Sequence, residues 1–221
     1  MKYSSFYGNF AWGDLSVNTK IILINIIFFL ICTPLLLFGV IPLDWIALKP
    51  SNILAGKYLW TFLTSMFMHH PTMIFHIFLN MLSLFFVGSF VQKILGEKRY
   101  LFFYLFSGLF SGLFFVLISF FTQTSLEVYA VGASGALFGI IGLMVLLTPN
   151  LPVYVMFIPI PIKVKYAAPG MLILLWLVSI SGGVPIGNTA HLGGLIAGVI
   201  YGIYLRKKYQ SKTRMIQRVF C

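Results

Sequence analysis

The sequence predicts an all-α, polytopic membrane protein built as a bundle of six transmembrane helices. Of its 221 residues, 60% are hydrophobic and only 9% are charged, whereas a soluble globular chain carries roughly a quarter charged residues. The apolar residues also form long runs rather than amphipathic stripes, and a helix of about 20 apolar residues spans a bilayer. These two observations exclude a soluble domain.

Six apolar runs lie between charged or Pro/Gly-rich breaks in the chain. We predict membrane spans at 20–40, 72–92, 100–121, 133–148, 167–184 and 189–206. Pro34 and Pro169 fall inside spans, where prolines are tolerated in membrane helices. The segment 41–71 is too long for a hairpin connection and too polar to span, so we predict a structured loop on the outer side.

Basic residues are distributed unevenly between the connecting segments. Of the 15 Lys and Arg residues, only Lys49 and Lys57 fall on the outer side when the N-terminus is placed inside. This bias predicts that both termini are cytoplasmic. We divide the chain into a cytoplasmic N-terminal segment (1–19), a six-helix core (20–206) and a basic cytoplasmic tail (207–221). A bacterial inner membrane fits a six-span core without a seventh span.

The net charge of +11 comes from short loops and from the C-terminal region rather than from a nucleic-acid-binding domain. The C-terminal basic residues are Arg206, Lys207, Lys208, Lys212, Arg214 and Arg218. Such a cluster is typical of contact with anionic lipid. We therefore expect the lipid bilayer as a partner, with anionic lipid near the tail, and no nucleic acid.

Acidic residues are too few and too peripheral for carboxylate chemistry. The four are Asp14, Asp44, Glu97 and Glu127, and none falls inside a predicted span. This excludes a carboxylate dyad, and the histidines have no neighbouring carboxylate or cysteine that would complete a metal site. We expect no metal and no other cofactor.

Uncharged polar residues open three of the spans instead. Ser134 begins the fourth span, His191 begins the sixth, and His76 and Asn80 share one helix face near the start of the second. The three spans run in the same direction, so the topology places all these groups on the outer side. Polar residues at membrane depth usually mark function.

Small residues supply a way to bring Ser134 and His191 together. Glycines recur at Gly132, Gly135, Gly139 and Gly142 beside Ser134, and at Gly194, Gly198 and Gly202 beside His191. Two glycine faces let helix backbones approach closely in lipid, which would bring the two side chains within hydrogen-bond reach. Taken singly, each feature also has a structural explanation: a helix cap, helix packing, or a histidine bonded to a carbonyl group.

Together, these motifs resemble the rhomboid family of intramembrane serine proteases. The matching motifs are Gly132-x-Ser134-Gly135, Ala190-His191-x-x-Gly194-x-x-x-Gly198 and His76-x-x-x-Asn80, in the order found in the family, with Met66-Phe67-Met68-His69 ahead of them. The resemblance covers about residues 20–206. It implies a serine endopeptidase that cleaves in or near transmembrane segments of substrate proteins, which enter near spans two and five.

The resemblance implies a role for each matching residue. Ser134 would be the nucleophile and His191 its general base, forming a dyad because no aspartate is present to orient the base. The side chains of His76 and Asn80 and the backbone amide of Ser134 would stabilise the oxyanion.

Other residues that match the family would support this dyad. Gly132 would help to shape the active-site loop, and Gly135, Gly194 and Gly198 would pack the helices together. Phe138 would lie against the catalytic histidine. The segment Gly182–Gly187 is flexible enough to act as a lid.

Three positions depart from the family pattern. Thr61 stands where many relatives have arginine, Gln92 where the family has glutamate, and Phe138 where tyrosine is frequent. These departures affect support and packing rather than the dyad.

A proteolytically inactive rhomboid-like protein that binds transmembrane helices is the alternative, and the retained Ser134 and His191 count against it. A transporter or channel is disfavoured because the spans contain no acidic residue. The sequence implies nothing about oligomeric state.

Overall fold

Helices make up most of the computed structural model, which describes residues 12–155, 158–182 and 187–220. The helices are α1 (Val17–Leu37), α2 (Pro50–Leu54), α3 (Thr61–Thr64), α4 (Ile74–Ser83), α5 (Ser89–Leu95), α6 (Glu97–Thr122), α7 (Ser134–Leu147), α8 (Val164–Gly182), α9 (Asn188–Lys208) and α10 (Gln210–Val219). A short antiparallel hairpin of β1 (Pro152–Val153) and β2 (Ile162–Lys163) precedes α8. Most of the predicted N-terminal segment and of the Gly182–Gly187 lid lies outside the described residues.

The all-α polytopic membrane bundle predicted from the sequence is confirmed. In the described part of the chain, four helical segments are long and apolar enough to cross a membrane: Val17–Leu37, Ile74–Leu95, Glu97–Thr122 and Val164–Gly182. They coincide with the first, second, third and fifth predicted spans. The fourth and sixth correspond to α7, a shorter apolar helix, and α9, which is 21 residues long but polar at its start. Pro34 and Pro169 lie inside α1 and α8 as expected.

The second span contains a π-helical segment, Leu84–Gly88, that joins α4 to α5. A π segment disturbs the regular helical hydrogen bonds, and here Asn18 of α1 supplies a partner. The Asn18 side-chain amide donates to the Leu84 carbonyl oxygen at 2.7 Å and to Ser89 Oγ at 3.0 Å, and its oxygen accepts from the Tyr100 hydroxyl. Asn18 is completely buried. The network therefore fastens α1 and α6 onto the interrupted span.

Gln92 joins the same region. Its side-chain oxygen accepts from the backbone N–H of Asn18 at 2.6 Å. That N–H lies in the first turn of α1 and has no partner within the helix. Glutamine at this departure from the family pattern thus provides a cap for α1.

The centre of the bundle is α7, most of whose side chains are buried. It packs against α6, α8 and α9, and its closest neighbour is α9. The first turns of α7 and α9 lie at the same end of the bundle, beside the start of α4. We call this the site end, and the opposite end, where α7 and α9 finish, the basic end.

The loop between α1 and α4 is structured, as predicted, and it folds over the site end. It contains a 3-10 turn (Leu43–Trp45), α2 and α3. Leu48 forms an antiparallel bridge with Ala130, with N···O distances of 3.1 and 2.8 Å. Thr61, at another departure from the family pattern, is buried and donates from its hydroxyl to the Tyr58 carbonyl oxygen at 2.7 Å.

The charges separate between the two ends of the bundle as the sequence suggested. Lys49 and Lys57 lie in the loop at the site end. The other described basic residues lie at the starts of α1, α6 and α8, at the ends of α5 and α9, in β2 and in α10. All these segments belong to the basic end. The orientation of this end toward the cytoplasm stays a prediction.

Candidate active site

Ser134 and His191 are in contact at the site end. Ser134 Oγ lies 2.7 Å from His191 Nε2, although 57 positions separate the residues in the chain. Ser134 is the first residue of α7, and His191 lies in the first turn of α9. Ser134 is half-buried and the histidine is 8% exposed. This distance is that of a hydrogen bond between a hydroxyl group and an imidazole.

Glycines allow α7 and α9 to come this close. A Cβ atom added at Gly194 would collide with the carbonyl oxygen of Gly135, and one at Gly198 with that of Gly139. At Gly142 it would collide with the carbonyl oxygen of Leu195. The two glycine faces therefore meet backbone to backbone, and this contact sets the separation between Ser134 and His191.

The ring of His191 is held by an aromatic side chain one turn into α7. Phe138 stacks on it with ring centroids 4.7 Å apart and an interplanar angle of 22°. Ser111 of α6 adds a second restraint, because its hydroxyl donates to the carbonyl oxygen of Ala190 at 2.6 Å. Phenylalanine supplies the stacking surface without a hydroxyl group. The sequence patterns had not indicated Ser111.

No described carboxylate orients the histidine. Nε2 must accept the Ser134 proton for the histidine to act as a base, so Nδ1 then carries the ring hydrogen. Nδ1 is buried and has no hydrogen-bond partner among the described residues. Asp44 and Glu127, the acidic residues of the site end, bond to other partners. The Ser134–His191 pair therefore has no carboxylate as a third member among the described residues, and packing orients the histidine ring.

His76 lies beside the serine with a defined tautomer. Its Nδ1 accepts from the backbone N–H of His70 at 3.2 Å, so the ring hydrogen lies on Nε2. A Cβ atom at Gly132 would come within 2.9 Å of His76 Nε2 and 3.5 Å of Ser134 Oγ. Gly132 has φ of +124°, a conformation that favours glycine. Nε2–H of His76 therefore points toward the space next to the serine.

His69 packs against His76 from the buried side. The two rings meet edge to face with centroids 5.1 Å apart. Burial lowers the pKa of His69 to about 3, with a further lowering from His76 and a small opposing effect from the backbone of Phe67. His69 is therefore neutral at physiological pH and supports His76 without adding charge.

Asn80 is buried on the same helix but turns toward its own backbone. Its side-chain N–H donates to the carbonyl oxygen of His76 at 2.7 Å, and its side-chain oxygen has no partner among the described residues. The hydrogen bonds of the described chain do not join Asn80 to Ser134. The backbone N–H of Ser134 lies next to the hydroxyl group of the same residue. It has no intrahelical partner, because the first N–H groups of a helix are not bonded within it.

A set of contacts that the motifs did not indicate holds the segment before Ser134. Gly132 N–H donates to the Ser65 carbonyl oxygen at 2.8 Å. Asp44 accepts from the Tyr129 hydroxyl at 2.9 Å and from Asn52 Nδ2 at 2.6 Å. Lys49 and Glu127 form an ion pair at 2.6 Å. The length and polarity of the 41–71 segment indicated a structured loop, but no sequence signal indicated its contacts with Glu127 and Tyr129.

The pKa of Asp44 follows from these contacts. Burial by itself would raise the pKa, but the hydrogen bonds from Asn52 and Tyr129 and the charge of Lys49 together lower it below the usual carboxyl value. The hydrogen bond between Lys49 and Glu127 raises the pKa of the lysine and lowers that of the glutamate. All these groups are thus charged at neutral pH.

Within the described ranges, no group of three or more His, Cys, Asp or Glu side chains is arranged to hold a metal ion. The chemistry available at the site is that of a hydroxyl group, two imidazoles, an amide side chain and the free N–H groups at a helix start.

Comparisons with known proteins identify the family of this chain. A family model described as the Rhomboid domain matches residues 56–208. RHOMBOID-like protein 1 from Arabidopsis thaliana is 34% identical over 160 residues, which cover 71% of this chain and 37% of the plant protein.

Two further relatives give the same result. RHOMBOID-like protein 6, mitochondrial, from the same plant is 34% identical over 76% of this chain and 49% of its own length. Rhomboid protein 1, mitochondrial, from Saccharomyces cerevisiae is 25% identical over 86% of this chain and 56% of its own length. The chain thus spans about a third to a little over half of the length of these relatives.

Proposed function

Because this chain belongs to the rhomboid family, we propose that it is an intramembrane serine endopeptidase that cleaves peptide bonds in or near transmembrane segments of other membrane proteins. The observation that supports the proposal most is the 2.7 Å separation of Ser134 Oγ and His191 Nε2. A hydroxyl group and a base at this distance are the minimum for nucleophilic catalysis by serine.

The first step follows from the atoms in contact. Ser134 Oγ attacks the carbonyl carbon of the substrate, and His191 Nε2 takes the hydroxyl proton as general base. The carbonyl oxygen becomes an oxyanion. His191 then gives the proton to the departing amine, and the acyl chain remains on Ser134.

The oxyanion needs hydrogen-bond donors at the position where its charge develops. His76 Nε2–H and the backbone N–H of Ser134 are the candidates nearest to the nucleophile, and Asn80 would contribute after turning away from the His76 carbonyl. Removing one such donor typically costs about 3 kcal/mol of transition-state stabilisation. Gly132 leaves space for the substrate carbonyl group because a side chain there would contact both His76 and Ser134.

Water completes the reaction by attacking the acyl carbonyl carbon while His191 takes a proton from the water. The ester bond to Ser134 Oγ then breaks, His191 returns the proton to the serine oxygen, and the carboxylic acid product leaves. The site lies in the first turns of α7 and α9, so water has only a short distance to travel from the membrane surface. We propose that this surface is the outer one, with both termini cytoplasmic, and that the membrane is a bacterial cell membrane. Two of the relatives are named as mitochondrial, and the bacterial origin has no support from them.

Substrate helices would reach Ser134 from the lipid, between α4 and α8. Both helices expose apolar side chains, among them Phe75 and Phe78 on α4 and Leu177 and Ile180 on α8. The anionic lipid expected near the basic tail belongs to the opposite end of the bundle.

A fluorophosphonate probe tests the proposal directly, because it reacts only with an activated serine. We expect covalent labelling of the wild-type chain in membranes and none of Ser134→Ala. Cleavage of a transmembrane peptide in vesicles should follow the same pattern. Absence of labelling and cleavage in a folded wild-type chain would refute the peptidase and favour an inactive rhomboid-like protein that binds transmembrane helices.

A further inference from the structure

The basic tail is a helix that packs across the basic end of the bundle, opposite the dyad. α10 follows α9 after a break at Tyr209. Gln217 Nε2 donates to the Leu146 carbonyl oxygen in the last turn of α7 at 2.9 Å. Phe220, just beyond α10, meets Phe90 edge to face at 5.4 Å, and Thr213 is buried. One face of α10 is thus fixed against the protein.

The remaining surface of α10 combines basic and apolar side chains. Lys212, Arg214 and Arg218 are exposed, and Met215 and Val219 beside them are 63% and 69% exposed. Helices with a basic polar side and adjacent apolar residues lie in the headgroup region of a bilayer, with the apolar residues reaching the acyl boundary. The headgroup region of a bilayer surrounds the ends of a transmembrane bundle, and α10 lies at one of these ends.

Two clefts with basic walls flank the junction of α9 and α10. One of 390 Å³ is lined by residues 207–212, including Lys207, Lys208 and Lys212. The other, of 290 Å³, is lined by Arg206 and Arg214 together with polar side chains. Both clefts are shallow and open to the surface, so a headgroup phosphate can reach them, and at least two basic side chains line each one. Such cations form charge-assisted hydrogen bonds with phosphate.

Further charges at this end favour an anionic partner. Arg99 lies over the ring of Tyr209 at 5.3 Å and adds a cation beside the junction. The described acidic residues of this end are Asp14 and Glu97, next to α1 and at the start of α6. Neither residue belongs to the described lining of either cleft.

We propose that α10 and the end of α9 form a docking surface for anionic phospholipids of the surrounding bilayer. The clefts bind the headgroup phosphates, and Met215 and Val219 contact the upper acyl chains. Lipid binding at this surface does not depend on peptidase activity, so the two proposals are tested independently.

The test measures lipid binding to the full chain. Purified protein in neutral detergent micelles is titrated with phosphatidylglycerol or phosphatidylcholine, and bound lipids are counted by native mass spectrometry. We expect preferential binding of phosphatidylglycerol. Each cation near an anionic surface contributes roughly fivefold to binding. Combined replacement of Lys212, Arg214 and Arg218 by Gln should therefore weaken binding of this lipid on the order of a hundredfold.

A matched control carries the same number of neutralised charges elsewhere at the basic end. Lys93, Lys98 and Lys163 are exposed there and lie outside α9 and α10; replacing all three by Gln should preserve the preference. Equal loss in both triple variants would refute α10 as the docking surface, as would equal binding of the two lipids by wild type.

Met215→Gln distinguishes a whole lipid from a soluble polyanion as the partner, because it removes an apolar side chain without changing the charge. It should weaken phosphatidylglycerol binding while leaving the cations in place. Unchanged binding by Met215→Gln would overturn the docking of whole lipids. The unfolding temperature of each variant checks that α10 remains folded.

Discussion

Gly198→Ala tests whether the contact between α7 and α9 sets the geometry of the dyad. The added Cβ atom would lie 2.7 Å from Leu143 N and 2.9 Å from the carbonyl carbon of Gly139, and closer still to the attached oxygen. Favourable contacts between heavy atoms lie near about 3.5 Å. The backbones must therefore separate by about 1 Å, since no side chain can move out of the way. The Ser134–His191 hydrogen bond would then lengthen beyond its normal range.

Gly198→Ala should reduce the activity of the protein far more than its stability. A misplacement of about 1 Å costs roughly a hundredfold in rate. Overpacking costs about 1–3 kcal/mol, but alanine recovers about 1 kcal/mol of helix propensity relative to glycine. We expect a small fall in unfolding temperature and a fall of about a hundredfold in fluorophosphonate labelling and peptide cleavage.

Gly170→Ala is the matched control. Gly170 lies inside α8, and a Cβ atom there has nothing within 4 Å. This variant should keep its labelling rate. If Gly198→Ala labelled as fast as Gly170→Ala, the inference that backbone contact positions the dyad would be wrong.

Four further predictions concern single side chains. Ser134→Ala and His191→Ala should each abolish cleavage while membrane insertion persists, because nucleophile and base act as a unit; wild-type cleavage by His191→Ala would contradict the dyad. Phe138→Ala should slow labelling by about ten- to a hundredfold through loss of the stacked ring, whereas Phe138→Tyr should preserve the rate. The lowered pKa of Asp44 predicts stabilisation that is present above about pH 4 and lost as pH falls through the lowered value; Asp44→Asn should reduce the acid-induced decrease in unfolding temperature, and an unchanged acid profile would exclude this role. Asn18→Ala should lower the free energy of unfolding by about 2–4 kcal/mol, since buried polar groups lose their partners; chemical denaturation measures this, and wild-type stability would show that the Asn18 network is dispensable.

Much of the fold was predictable because the membrane imposes simple requirements on sequence. Long apolar runs had to be helices, and the separation of lysine and arginine residues indicated which helix ends lie together. The direction of the spans then placed Ser134, His191, His76 and Asn80 at one end. The glycine spacing predicted the close approach of two particular helices, and this approach is present in the structure.

Other features depend on contacts that have no local signature. The Asn18 network joins α1 to a π segment in another helix, and sequence periodicity does not report which carbonyl group lacks a partner. The bridge between Leu48 and Ala130 joins segments that are distant in the chain. α10 was predicted only as a basic tail, because its ten residues are too polar to register as an apolar run. Asn80 illustrates a limit of helix spacing, since sharing a face with His76 did not determine where its amide group points.

The 57-residue separation between Ser134 and His191 has a consequence for biosynthesis. During translation α7 enters the membrane before α9 has been made, and the segment preceding Ser134 already has its partners in the earlier loop. His191 is made only with α9, the last of the six predicted spans. A nascent chain that stops before α9 therefore contains Ser134 but not the histidine that the proposed mechanism requires. In the peptidase that we propose, the order of synthesis keeps Ser134 inert until the bundle is assembled.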